Sequence, residues 1–180
     1  MSDHFSSALP GLFANAEKDL RLAIRYVTAE FSKPGSDLRN SRYSVYVAEA
    51  CFEEVPKYAQ ALITWLEQFG SENTVIQTRD YDSAVASVSH FVALASDTYE
   101  EIRKRDIPFG DKRPPFDMTR MHSVEVAAIN DIETRKAVFR SKRSFRSWLF
   151  ADLRKVGVFP TIIAIGAGLA GGLLKGLILP

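Results

Sequence analysis

Residues 156–174 carry no charged side chain, and in 157–180, GVFPTIIAIGAGLAGGLLKGLILP, only Thr161 and Lys175 are neither apolar, Gly nor Pro. A stretch with no polar face cannot be an ordinary surface helix. As a helix, 160–179 would rise about 30 Å, the thickness of a bilayer's hydrocarbon core. Pro160 suits a first helical turn, because its φ is fixed and its missing amide hydrogen is not needed there. Lys175 lies close enough to the end of the span to extend its ammonium to the headgroups. Gly166, Gly168, Gly171, Gly172 and Gly176 each cost a helix in water about 0.8–1 kcal/mol relative to Ala. In lipid the backbone must satisfy its own hydrogen bonds, so a lone segment becomes helical regardless. Residues 156–180 are therefore expected to form a single transmembrane helix. A buried contact in a large water-soluble particle is the alternative.

Ala164, Gly168, Gly172 and Gly176 recur every fourth residue and put three small-xxx-small steps on one face. That spacing lets a second helix approach closely, so the tail is expected to associate laterally, in a homo-oligomer or a membrane protein complex.

The formal net charge of +1 hides a strong asymmetry. Residues 1–134 hold 14 Lys and Arg against 21 Asp and Glu, whereas 135–155, RKAVFRSKRSFRSWLFADLRK, hold eight basic residues against Asp152 alone. On a helix Phe145, Trp148, Leu149 and Leu153 form one apolar stripe, with Arg140, Arg143, Arg146 and Arg154 mostly elsewhere. This is the pattern of a helix in a membrane interface, with Trp at headgroup level and basic residues on anionic lipid. The expected interface residues are Arg140, Lys142, Arg143, Phe145, Arg146, Trp148, Leu149, Arg154 and Lys155. Packing on the body and nucleic-acid binding are the competing readings, and adjacency to the tail favours lipid over nucleic acid. Basic residues beside a span stay cytoplasmic, so the body is expected in the cytosol. The opening MSDHFSSALPGLF has neither a basic n-region nor a continuous apolar h-region, which points to insertion after synthesis. This layout resembles that of tail-anchored proteins and identifies no family.

The sequence thus divides into an acidic helical domain at 1–134, a basic juxtamembrane collar at 135–155 and a tail at 156–180. With one Cys, a disulfide framework and a thiolate zinc cluster are excluded. Residues 10–31 place Phe13, Ala16, Leu20, Ile24, Val27 and Phe31 at helical steps; 32–40 contain Pro34 and Gly35 and predict a turn. Tyr43, Val47, Cys51 and Val55 predict a second helix, and Pro56 begins or kinks a further stretch ending near Gly70. The short β-prone 74–78 is ambiguous. Asp82 is placed as the cap of a helix over 82–105, and Asp117 or Thr119 as the cap of a last helix that leads into the collar. The expected fold is all-α, a bundle of four or five helices with a transmembrane helix after it.

No catalytic signature appears. His4, His90 and His122 lack metal-ligand spacing, and there is no P-loop, dinucleotide or nucleophile-elbow motif. No metal or other cofactor is expected. His90 is expected half-buried and hydrogen-bonded, and Cys51 a small core residue. The adjacent pairs Glu53–Glu54 and Glu100–Glu101 are expected to be solvated charge. Loop 106–117 combines stiffening prolines with Phe109, Lys112, Arg113 and Phe116, with Arg120 just beyond, and is the candidate surface for a protein partner or an anion.

The function these parts imply is non-enzymatic: a tail-anchored protein whose cytosolic body binds a partner or assembles at the membrane. The alternatives are an oligomerising membrane-perturbing effector, holin-like or defensive, and a structural subunit that uses the tail as an assembly contact.

Overall fold

The computed structural model describes residues 4–33, 41–71, 76–105 and 114–155, with side chains described throughout these ranges except at 41, 69–71, 105 and 143–155. Among the described residues there are four helices and no strand: α1 (His4–Phe31), α2 (Ser41–Ser71), α3 (Thr78–Arg105) and α4 (Met118–Lys155). The chain divides into two compact units, Met1–Lys136 and Ala137–Pro180. The four helices form a bundle in the first unit, whose last helical stretch is α4 up to Lys136.

Two prolines lie inside helices. α1 begins at His4, ahead of Pro10, because Phe5 buries its ring 5.3 Å from that of Trp65 on α2. α2 runs without a break through Pro56. Proline there removes one backbone hydrogen bond. Val47, Cys51, Val55, Leu62 and Leu66, all at most 1% exposed, keep one face of α2 in the core on both sides of it.

The caps follow simple chemistry. α3 starts at Thr78, not at Asp82: the Gln77 amide donates to Asp80 Oδ2 at 2.6 Å, and the Asp80 amide donates to the Gln77 carbonyl at 3.0 Å. A carboxylate three residues in, reaching back to the cap amide, is half of a capping box. At α4 the Arg120 amide donates to Asp117 Oδ1 at 2.9 Å, which makes Asp117 the N-cap and leaves Thr119 inside the first turn.

The helices alternate in direction. Thr28 meets Tyr43 where α1 ends and α2 begins, and Phe5 meets Trp65 at the opposite end. Tyr58 hydrogen bonds to Ser87, and the Cys51 thiol donates to the Ala95 carbonyl, pairing α2 with α3. Phe13 of α1 lies edge-on to Tyr58 and Phe91, each at 5.9 Å, and closes that side of the core. α4 brings Met121, Ala128 and Ile132 to the interior, then Lys136 at the next core-facing step.

Candidate functional site

The start of α4 is where the sequence placed a recognition loop, and the structure gives its described residues other work. Phe116 is only 6% exposed, stacked at 5.2 Å on Phe52 and 4.9 Å from the ring of Tyr99. Its amide donates to Glu100 Oε1 at 3.4 Å, and the Tyr99 hydroxyl donates to the Pro114 carbonyl at 2.9 Å. Phe116 is thus a core aromatic and not a partner contact: burying a Phe between two rings outweighs leaving it in water. Arg120 stays half exposed, its guanidinium 4.4 Å above the Phe52 ring and paired with both oxygens of Glu49. A guanidinium already held by a carboxylate is a poor receptor for a second anion. Phe109, Lys112 and Arg113 lie outside the described residues.

Two cations at the start of the basic segment pair with the helical body. Arg135 pairs with Glu67 of α2 at 2.9 Å, and Lys136 pairs with Asp82 of α3 and with Glu133 one turn back. Asp82, expected to cap α3, serves instead as the carboxylate that receives α4. These two cations therefore belong to the body. Arg140 and Lys142 are exposed on α4, while Arg143, Phe145, Arg146, Trp148, Leu149, Arg154 and Lys155 have helical backbone and side chains outside the described set. Ala164, Gly168, Gly172 and Gly176 lie outside the described residues. Among the described residues no helix is long and apolar enough to cross a membrane.

One concavity was not foreseen. An open groove of about 510 Å³ runs between α1 and α2. Its α1 wall uses Leu12, Ala16, Asp19, Leu22 and Tyr26, and its α2 wall Glu54, Lys57 and Ala61. Leu22 and Tyr26 are 44% and 67% exposed. The signal was present in the sequence: positions 12, 16, 19, 23 and 26 step by four and three along a second face of α1, which shares Ala16 with the stripe read as its apolar face. Glu54 corrects the expectation of solvated charge, since it is buried and bonds to the Lys57 ammonium at 2.7 Å. Lys57 is held above its ordinary pKa, first by that hydrogen bond and then by the fields of Glu54, Glu53 and Asp19. Glu100, half-buried, sits below the usual carboxylate range, chiefly through its hydrogen bond from Arg103.

Cys51 is buried with its thiol pushed up to about 12, first by burial and then by Glu54, so at neutral pH it is a thiol and a poor nucleophile. His90 is exposed, its ring 5.3 Å from that of Phe13, and is not the half-buried histidine expected. Among the described residues no group of three or more His, Cys, Asp or Glu could hold a metal ion. No family model matches the chain, and neither does a curated protein or a solved structure.

Proposed function

We propose that the chain is a non-enzymatic tail-anchored membrane protein: 156–180 span the bilayer, the basic segment lies on anionic headgroups, and the helical body binds a partner or assembles at the cytoplasmic surface. The observation that carries this reading is the order of parts in the sequence, in which nineteen uncharged residues at 156–174 directly follow a basic, aromatic segment. Two features of the body support it. α4 continues as helix to Lys155, the backbone state an interfacial helix requires. Arg135 and Lys136 are engaged by body carboxylates, so lipid contact starts at Arg140.

Vesicle flotation tests the reading against nucleic-acid binding. Full-length protein should float with phosphatidylserine vesicles and show no saturable binding to a DNA or RNA oligonucleotide. Neutralising Arg140, Lys142, Arg143 and Arg146 together should weaken the salt-sensitive part of vesicle binding, while Arg135→Ala should not. Tight oligonucleotide binding without flotation would overturn it.

The four-residue repeat of Ala164, Gly168, Gly172 and Gly176 favours a second reading, in which clustered tails perturb the bilayer. Dye release from vesicles that stops with Gly172→Leu, while the protein stays membrane-bound, would select it.

A further inference from the structure

The groove between α1 and α2 has a centre that its own residues leave incomplete. The Glu54 side chain is only 10% exposed, and Lys57 bonds to its Oε1. No described donor reaches its Oε2. The charged groups that line the groove are two carboxylates, Glu54 and Asp19, and one cation, Lys57. A positive donor arriving through the open groove would form a charge-assisted hydrogen bond with that oxygen.

The shape around this centre is that of a seat for a helix. Leu12, Ala16, Asp19, Ala23 and Tyr26 follow the alternating four and three residue steps onto which a neighbouring helix packs its side chains. Ala16, Ala23 and Ala61 keep the floor low, and the exposed Leu22 and Tyr26 give apolar walls. Between positions 12 and 26 α1 rises about 21 Å, room for four turns of a partner.

We propose that this groove docks an amphipathic helix of a partner protein, which lays Leu- or Ala-sized side chains along the α1 seam and brings one Arg or Lys to the free oxygen of Glu54, beside Asp19. The proposal names the partner chemistry of the body, so it rests on the reading of the body as a binding module. It does not depend on the tail.

The probe is hexylguanidinium, an apolar chain ending in the group an Arg would present, with hexanoate as the control of opposite charge. Methyl NMR of the full-length chain follows Leu12, Ala16, Leu22, Ala23 and Ala61, in lipid nanodiscs if the protein sediments with membranes and in buffer if it does not. The membrane reading can then fail without deciding this one. Hexylguanidinium should give saturable shifts at these methyls, hexanoate none, and Glu54→Gln should weaken binding about tenfold, or 1.4 kcal/mol. Retention of the other methyl signals certifies the fold of that variant, and Asp19→Asn, on the exposed surface of α1, is the second variant should Glu54→Gln unfold. Absence of saturable shifts, equal shifts with hexanoate, or unchanged affinity in the folded variants would each overturn the proposal. So would groove shifts that depend on protein concentration without ligand, which would make a second copy the occupant.

Discussion

The Lys136 ammonium of α4 is paired with Asp82 near the start of α3, and its side chain is only 9% exposed while that of Asp82 is 57% exposed. The interior stripe of Met121, Ala128 and Ile132 is thus continued by a charge at Lys136. The cation occupies a core-facing position, but both its acids, Asp82 and Glu133, reach water and limit the cost of desolvation.

That geometry sets the relative weight of two substitutions. Lys136→Met keeps the buried stem and releases two carboxylates to water, so the body should lose at most about 2 kcal/mol. Ile132→Ala one turn earlier, at 0% exposure, should lose about 2–5 kcal/mol. Urea unfolding followed by circular dichroism measures both. A larger loss at Lys136 than at Ile132 would mean that charge, not packing, holds α4.

Alkaline titration has a defined sign. Asp82 and then Glu133 raise the Lys136 pKa in the folded state, so its contribution is complete below the unfolded lysine value, about 10.4, and fades as pH rises through the folded one. Wild-type protein should lose more stability than Lys136→Met across that window. Glu100 behaves oppositely: with its folded pKa depressed, its contribution is present above the unfolded carboxylate value and is lost as pH falls through the folded one. Glu100→Gln should flatten part of the acid limb of the urea midpoint.

Phe116→Ala should cost about 3–5 kcal/mol, the usual range for emptying a buried aromatic site. The ring stacks on Phe52 and lies tilted against Tyr99, so near-ultraviolet dichroism should change with it. A variant of wild-type stability would return Phe116 to the role of a surface contact.

Cys51 supplies a probe of the same core. Buried and pushed up to about 12, its thiol should react with Ellman's reagent at mildly alkaline pH only as fast as the body opens. Labelling much faster than unfolding would contradict its burial between α2 and α3.

The sequence made the helical class and most of the core legible, because stripes such as Val47, Cys51 and Val55 have one period and one meaning. Its errors came where tertiary packing overrides a local rule. Asp82 has the side chain of a cap, but Asp80 is placed to reach the Gln77 amide, and Asp82 faces Lys136 instead. Phe116 lies among polar loop residues, and only the meeting of Phe52 and Tyr99 reveals its destination. For the groove the α1 spacing was legible, but pairing it with an α2 wall needs both helices in place. For the basic segment, sequence marked the charge but not its division, since the partners of Arg135 and Lys136 are 68 and 54 residues away.

Fractionation tests the central claim most directly. Membranes from cells expressing the full-length chain, or residues 1–155 alone, are washed with high salt and then with alkaline carbonate. Full-length protein should stay in the pellet through both washes, whereas the 1–155 chain should be soluble or released by salt and keep its helical dichroism. Full-length protein found in the supernatant, as a defined particle or otherwise, would contradict the anchor and make the tail an assembly contact.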